Sequence, residues 1–145
     1  MNQSEVVKTL EEVLANSYAL VVKTQNYHWN ITGANFKPLH ELFGAQYEEL
    51  FAALDDFAER VRTFGVKVEA SFESFAKLSK AKKGDENLNA DQMIQDLILD
   101  HKALVKFLKN GIVVAQKNGD EATADMFIGR VQTHEKAIWM LESSR

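Results

Sequence analysis

The chain has 145 residues, of which 46% are hydrophobic and 26% charged, and its formal net charge is −4. These values are typical of one globular domain, taken as residues 1–145, and exclude disordered and collagen-like classes. No apolar run approaches the roughly 18 residues of a membrane span, residues 1–5 lack a signal-peptide pattern, and the absence of cysteine suits a cytoplasmic protein. The acidic balance argues mildly against a dedicated nucleic-acid binder.

Apolar side chains at steps of three and four predict two long helices in the first half of the chain. The first covers residues 4–32, with Ser4 as its cap. A break at residues 32–35 separates it from the second, which has Pro38 in its first turn and ends at Gly65. Because the break is short, we expect the two helices to be antiparallel neighbours.

The second half of the chain is predicted to form two further long helices. They follow a connection, residues 66–89, that holds a short predicted helix at residues 71–80. Asn89 caps the third long helix, with Gln92 in the capping-box position, and Asp120 caps the fourth. A connection of this length can cross the whole bundle, which makes the second and third long helices parallel. The pattern predicts an all-α fold, a ferritin-like four-helix bundle with one long crossover; a bundle without chemistry is the alternative.

Two histidines on these helices are candidate metal ligands. His28 follows the apolar stripe of the first helix, and His40 shares its direction with Tyr47 on the second. A core histidine with a hydrogen-bond partner is the plainer explanation for either one alone. However, the two residues lie about equally far from the break, so an antiparallel hairpin brings them level. Two neutral imidazoles at one level can bind a divalent metal.

A pair of acids on the second helix completes the candidate site. Asp55 and Glu59 are four residues apart and share a face, which a solvated acidic edge beside Arg60 and Arg62 would also explain. His40 and Asp55 are 15 residues apart, or about 22 Å along a straight helix, whereas metal–ligand bonds are roughly 2.0–2.6 Å long. If the four residues form one site, two subunits must build it, one giving the imidazoles and the other the acids.

The diiron centre of an ordinary ferritin bundle is not predicted inside this chain. That centre uses Glu-x-x-His motifs that project into the bundle. The residues three positions before the four histidines are Gln25, Lys37, Ile98 and Val131. None is a glutamate, so a diiron centre of this kind within one bundle is excluded.

Taken together, the spaced motifs resemble the Dps family, the DNA-binding proteins from starved cells. The motifs are Asn26-Tyr27-His28-Trp29-Asn30, Gly33, Phe36, Leu39-His40-Glu41, Asp55, Ala58-Glu59-Arg60, His134-Glu135-Lys136 and Trp139-Met140-Leu141. The resemblance covers essentially the whole chain. It implies a dodecameric cage that oxidises Fe(II), preferably with hydrogen peroxide rather than dioxygen, and stores the ferric mineral, protecting the cell from oxidative damage. It also implies that His28, His40, Asp55 and Glu59 bind iron between subunits, with Trp29 intercepting stray oxidising equivalents beside the site.

Two departures from the family pattern modify these expectations. The family usually has an acid four residues after the second histidine, and this chain has Gly44 there; Glu48, one turn further on, would reach inward only through water. We therefore expect weaker or single-iron binding and slower oxidation with dioxygen. The second departure concerns DNA, because neither terminus is lysine-rich and the crossover lysines are read as a solvated loop. We expect no stable DNA complex near physiological salt.

Other acidic residues have expected roles that follow from the resemblance. Asp120, Glu121 and Asp125 are candidates for an iron-entry pore, although helix capping explains them as well. Candidates for mineral nucleation are Glu41, Glu48 and Glu49. His101 and His134 are read as structural. The alternatives to an iron store are a DNA-compacting structural protein with secondary iron chemistry and a binding module with a degraded site.

Overall fold

The computed structural model describes residues 3–145 and consists of five helices. Their bounds are α1 Gln3–Asn30, α2 Phe36–Thr63, α3 Phe72–Leu78, α4 Ala90–Lys117 and α5 Glu121–Glu142. Met1 and Asn2, which form most of the segment expected to precede the first cap, lie outside the described residues. The predicted all-α bundle with one crossover carrying a short helix is confirmed. No helix within residues 3–145 is long and apolar enough to cross a membrane.

Side-chain contacts fix the directions of the long helices. Near the start of α1, Glu5 accepts a hydrogen bond from Asn118 at the end of α4, at 3.1 Å. Near the end of α1, Lys23 forms ion pairs of 3.3 and 2.7 Å with Asp96 and Asp100 in the first half of α4. The two helices are therefore antiparallel, and since α1 and α2 form a tight hairpin, α2 runs parallel to α4. This is the ferritin-like connectivity that the long crossover predicted.

The crossover lies along α1 and is held there at several points. The ring of Phe75 in α3 stacks on Tyr18 with centroids 4.8 Å apart, and the amide of Lys80 donates to Asn16 at 2.8 Å. Further along, the amide of Asp85 donates to the hydroxyl of Tyr27 at 3.3 Å, and that hydroxyl donates to Asp96. These contacts order a connection that has few buried apolar side chains of its own.

Helix ends follow the local chemistry, with one exception. Asn89 and Gln92 form the predicted capping box, and the Asp120 side chain accepts from the amide of Thr123 at 3.0 Å. The short helix is two residues shorter than predicted at its C-terminal end and is capped by Ser71. The exception is Ser4: α1 begins at Gln3, so Ser4 lies within the first turn instead of capping it.

The core lies between the four long helices. Its largest fully buried side chains are Tyr27, Phe43, Phe57, Phe127, Leu10, Leu20, Ile31, Met93, Ile94, Leu97, Leu108 and Leu141. Burying aromatic and aliphatic side chains of this size stabilises the bundle by about 1.5–3 kcal/mol each. The core therefore provides a rigid base for the hairpin between α1 and α2, where the candidate metal ligands lie.

Candidate metal centre

The two predicted histidine ligands are brought together at the α1–α2 hairpin. Gly33 turns the chain with a φ of +112°, which favours glycine, and Ile31 is buried beneath the turn. The imidazoles of His28 and His40 then stack face to face, with centroids 3.8 Å apart and planes 11° apart. The predicted level arrangement of the two rings is therefore observed, although both rings are only half-buried and lie outside the core.

Each ring is held by the backbone of the other residue. Nδ1 of His28 lies 2.5 Å from the carbonyl oxygen of His40, and Nδ1 of His40 lies 2.6 Å from the carbonyl oxygen of His28. A carbonyl oxygen only accepts hydrogen bonds, so both Nδ1 atoms must carry a proton and donate. An imidazole whose single ring proton lies on Nδ1 carries its lone pair on Nε2, which is the atom that can bind a metal.

Aromatic side chains flank the imidazole pair on both sides. Phe36 stacks on His40 with centroids 5.1 Å apart, and Tyr47 lies tilted against His28 at 5.4 Å. These neighbouring rings restrict the rotation of the two imidazoles. Trp29, predicted to assist at the site, is 66% exposed and makes no ring contact with either imidazole in the described part of the chain.

Gly44 lies directly beneath the His28 ring. A Cβ atom built on Gly44 would lie 2.8 Å from Cε1 and 3.1 Å from Nδ1 of His28, inside ordinary van der Waals contact. The sequence identified this position only as the place of a missing acid. The structure adds that the imidazole occupies the space that any side chain at residue 44 would need.

The predicted acidic partners lie far from the imidazoles within one chain. Asp55 and Glu59 are exposed on α2, and the 15-residue spacing from His40 to Asp55 on one continuous helix corresponds to about 22 Å. Correspondingly, no group of three or more His, Asp or Glu residues within 3–145 could hold a metal ion. The structure thus brings together the two histidines and leaves the two acids on a separate part of the surface.

The arginines expected beside these acids are engaged elsewhere. Arg60 forms a 3.0 Å ion pair with Asp120, and Arg62 donates to the carbonyl oxygen of Val66 at 3.0 Å. Within the described residues, Asp55 and Glu59 have no ion pair or side-chain hydrogen bond. Both acids are exposed, as the alternative of a solvated acidic edge also requires, although in residues 3–145 neither neighbouring arginine pairs with them. Two like charges one turn apart on an exposed face are thus left without a paired cation in the part of the chain that the structure describes.

Comparison with known proteins identifies the family. The model of the ferritin-like domain matches residues 7–144. The DNA protection during starvation protein of Brevibacillus brevis is 36% identical over 141 residues, covering 97% of this chain and 95% of that protein. The crystal structure of Dps from Staphylococcus aureus is 34% identical with a TM-score of 0.95, covering 99% of this chain and 96% of that one. The chain belongs to the Dps family.

A further crystal structure agrees with the Dps assignment. It is that of the Dps protein from Vibrio cholerae O1, which is described as a member of a broad superfamily of ferritin-like diiron-carboxylate proteins. Its TM-score is 0.92 at 28% identity, and 97% of this chain and 88% of that chain are covered. The resemblance stated from the sequence motifs is therefore confirmed for the family and the fold.

The acids with expected roles in a Dps cage differ in their availability. Asp120 caps α5 and pairs with Arg60; burial raises its pKa, but the hydrogen bonds from Thr123 and Arg60 outweigh this and lower the pKa overall. Its charge is thus already used, whereas Glu121 and Asp125 are exposed on the same helix. These two are the better pore candidates.

The candidates for mineral nucleation divide in the same way. Arg130 binds both carboxylate oxygens of Glu49, at 2.5 and 3.0 Å, so this acid is the least free of the three. Glu41 and Glu48 are exposed, and within residues 3–145 neither forms an ion pair. The assignment of nucleation to Glu49 is therefore the weakest of the three.

A second histidine pair, in the interior of the bundle, has the structural character that the sequence predicted. Nδ1 of His101 on α4 lies 2.9 Å from Nδ1 of His134 on α5, and both side chains are buried. Nε2 of His134 accepts from Arg130 at 3.0 Å. Burial and then the charge of Arg130 lower the pKa of His101 to about 4, and burial likewise lowers the pKa of His134. Both rings are therefore neutral at neutral pH.

Sequence reasoning missed several residues that shape these Dps sites. Nothing in the pattern indicated the carbonyl contacts of His28 and His40, because they depend on the approach of two backbones. Arg130 was missed as the partner of Glu49, although its four-residue spacing from His134 places both on one face of α5. Phe36 appeared only as part of the family motif, and its stack on His40 gives it a physical role.

Proposed function

We propose that this protein oxidises Fe(II) at sites formed between two subunits and stores the ferric product inside a homo-oligomeric cage, a dodecamer by family resemblance, in the cytoplasm. Iron is the substrate and cargo. In each site, His28 and His40 of one subunit and Asp55 and Glu59 of another are the ligands. Hydrogen peroxide is the preferred oxidant and dioxygen the slower one.

The observation that carries this proposal is the mutual hold of His28 and His40. Both Nδ1 atoms donate to backbone carbonyl oxygens, which leaves two Nε2 lone pairs close together on a half-buried surface. A ring nitrogen that donates to a carbonyl is the usual outer support of a metal-binding histidine, because it fixes the tautomer and the ring orientation. Imidazole nitrogen is a good ligand for first-row divalent metals, iron included.

The acids supply what the imidazoles lack. Neutral imidazoles do not offset the charge of an iron ion, whereas Asp55 and Glu59 are two carboxylates that form no ion pair within residues 3–145. Iron gains one positive charge on oxidation, so carboxylate ligands favour the ferric product over the ferrous substrate. The separation of about 22 Å along α2 requires that the acids come from a second subunit, and two-fold symmetry then gives two sites per dimer.

The names of relatives support the same assignment. The protein from Vibrio cholerae O1 is described as belonging to ferritin-like diiron-carboxylate proteins, and that of Brevibacillus brevis is named for DNA protection during starvation. Peroxide takes up two electrons and two protons to give two water molecules, and the two electrons come from two Fe(II) ions, one bound tightly at the site and a second that binds there more weakly. Consuming peroxide in this way prevents its one-electron reduction to hydroxyl radical, so storage and protection are one act.

The remaining acidic and aromatic residues have roles within this proposal. Glu121 and Asp125 would attract Fe(II) to a pore, and Glu41 and Glu48 would start the mineral on the inner surface. Exposed Trp29, next to His28 in the chain, would take up oxidising equivalents that escape the site. Asp120 and Glu49 remain candidates for these roles only if their ion pairs open.

Mixing two inactive variants tests the shared site. His28→Ala and Asp55→Ala each remove one half, so neither homo-oligomer should oxidise Fe(II) at these sites. Random reassociation makes about half of the dimers mixed, and one of the two sites in each mixed dimer is intact. We expect recovery of about one quarter of the wild-type sites, measured as peroxide-driven Fe(II) oxidation after dissociation and reassembly.

The matched control is a mixture of His28→Ala with His40→Ala. Both changes damage the same half of the site, so every site in that mixture keeps a defect and no recovery is expected. Recovery in the control, or none in the test mixture despite mixed oligomers by native mass spectrometry, would refute the shared site. Light scattering on the wild-type protein tests the cage: a mass near twelve subunits supports it, and a monomer contradicts it.

DNA compaction is the alternative function, and no specific observation favours it. The net charge is −4, and stable DNA binding needs several lysine or arginine contacts with phosphates. We expect no gel shift with duplex DNA at about 150 mM salt. A stable complex under that condition would make DNA binding a principal function.

A further inference from the structure

We propose that Gly44 leaves the space that the His28 imidazole occupies. The hydrogen-bonded histidine pair therefore depends on the absence of an acidic side chain at residue 44. This inference deepens the proposed function and rests on it for the identity of the ligand. Gly44 is accordingly a positioning residue, and replacing it with aspartate is expected to weaken metal binding. A simple reading of Gly44 as a lost ligand predicts the opposite.

The His28 ring leaves no space for a side chain at Gly44. A Cβ there would meet Cε1 of His28 at 2.8 Å, Nδ1 at 3.1 Å and Nε2 at 3.6 Å. Gly44 is itself buried in the middle of α2, so the helix cannot turn the new atom toward solvent. Any residue other than glycine therefore requires the imidazole to move.

A movement of His28 would disturb the contacts that hold its ring. Its ring is stacked on His40 at 3.8 Å on one face, and Tyr47 lies against it at 5.4 Å. A shift of a few tenths of an ångström also lengthens the 2.5 Å contact from Nδ1 to the carbonyl oxygen of His40. The same motion disturbs the reciprocal contact of His40, because the two rings hold each other.

An acid at residue 44 would not simply add a ligand to the site. Aspartate brings its Cβ into the His28 ring before its carboxylate can reach an ion. With the imidazoles as they lie here, each site then has two nitrogen ligands from one subunit and the carboxylates of the other. This favours one tightly bound ion per site, held mainly by His28 and His40, over two ions that share an acid at residue 44.

Gly129 provides a matched control for replacing a glycine. It lies inside α5 as Gly44 lies inside α2, but nothing comes within 4 Å of a Cβ built on it. Alanine favours the helical conformation more than glycine at both positions. Only at Gly44 does the added methyl group meet a metal ligand, so differences between the two alanine variants report the contact with His28.

The experiment compares Gly44→Ala, Gly44→Asp and Gly129→Ala in the assembled full-length protein. Without metal, nitrogen-15 NMR of labelled histidine reports whether the Nδ1 atoms of His28 and His40 carry donating protons. With metal, calorimetry under anaerobic conditions gives the affinity and stoichiometry for Fe(II), and Zn(II) serves as a probe that does not change oxidation state.

We expect both Gly44 variants to lose the two Nδ1–H signals and to bind either ion about 10- to 100-fold more weakly, the usual loss when an outer support of a ligand is removed. Gly129→Ala should match the wild type, which should bind one tight ion per site. Two tight ions in Gly44→Asp, or unchanged Nδ1–H signals in Gly44→Ala, would overturn the proposal.

The design separates failure of this inference from failure of the proposed function. If the wild type binds neither Fe(II) nor Zn(II), the iron site is wrong, and the NMR comparison of metal-free Gly44→Ala with Gly129→Ala still decides whether Gly44 seats the imidazole. If Gly44→Asp does not fold, Gly44→Ala carries both measurements, and circular dichroism with light scattering verifies its bundle and assembly.

Discussion

Each antiparallel hairpin of this bundle holds one pair of histidines, His28 with His40 between α1 and α2, and His101 with His134 between α4 and α5. The first pair points both Nδ1 atoms at backbone carbonyls, and its Nε2 atoms make no hydrogen bond within residues 3–145. The second pair uses its Nδ1 atoms on each other and ties Nε2 of His134 to Arg130. Two imidazoles at one level of a hairpin therefore indicate a metal site only when their second nitrogens remain available.

Burial is the second difference between the pairs. His28 and His40 are half-buried, whereas His101 and His134 are 4% and 1% exposed. An ion at the inner pair, His101 and His134, would have to break the hydrogen bond between the rings and approach beside the cationic Arg130. The outer pair, His28 and His40, has no cation in contact with it in the part of the chain described. The same residue type thus acts as a ligand candidate in one hairpin and as core in the other.

The largest predicted effect is on metal affinity, and only the outer pair should show it. His28→Ala removes a ligand and a stacked ring but little buried surface, so we expect Zn(II) affinity to fall at least about 100-fold with stability changed by less than about 1 kcal/mol. Replacing His134 should leave the Zn(II) affinity unchanged. Calorimetric titration of both variants, with assembly verified by light scattering, is the measurement. Equal losses of affinity would erase the distinction between the pairs.

The reverse effect on stability is expected at the inner pair. His134→Ala leaves His101 and part of Arg130 buried without their hydrogen-bond partner and opens a cavity. We expect the free energy of unfolding to fall by about 3–5 kcal/mol. Urea unfolding followed by circular dichroism measures it, with His28→Ala as the reference. A loss below about 1 kcal/mol would mean that the inner hydrogen-bond chain contributes little.

Sequence alone predicted the elements of this comparison better than the contacts within it. Helical spacing and the caps at Asn89 and Asp120 defined the long helices, because these are local properties of the chain. The level of His28 and His40 followed from their equal distance to the break. The separation of about 22 Å between His40 and Asp55 along α2 followed from helix geometry alone.

What the sequence missed depends on how elements approach one another. Whether a ring nitrogen meets a carbonyl or another imidazole is decided by rotamers and helix separation, so the roles of the two pairs could not be read from spacing. The same holds for Gly44, whose importance lies in a contact with a residue on another helix. Helical spacing gives His40 and Phe51 the same direction on α2, and the apolar Phe51 is nevertheless 54% exposed. In the sequence, an apolar stripe that would contact a second subunit cannot be distinguished from one that faces the core.

Lowering the pH should reduce the free energy of unfolding through the inner pair, His101 and His134. The pKa of His101 is about 4 in the folded protein and close to its ordinary value of 6.5 in the unfolded chain, so the unfolded state binds more protons between these values. The stabilising contribution is complete above pH 6.5 and is lost as the pH falls toward about 4. The shift corresponds to about 3 kcal/mol for His101. Urea unfolding at several pH values measures the slope, and His101→Phe should flatten it. An unchanged slope in that variant would assign the acid sensitivity to other groups.

The smallest effect is predicted where the inner pair reaches the surface. Arg130 is largely buried but its partner Glu49 is about half exposed, so solvent screens much of their ion pair. Glu49→Gln keeps an oxygen to accept from Arg130 while removing the charge, and we expect a loss of no more than about 1 kcal/mol. Glu48→Gln, one residue away and without an ion pair in residues 3–145, is the control and should be neutral. Both measurements use urea unfolding at neutral pH. If Glu49→Gln instead costs as much as His134→Ala, the carboxylate is an integral part of the inner hydrogen-bond chain, and Glu49 must be removed from the residues proposed to bind mineral.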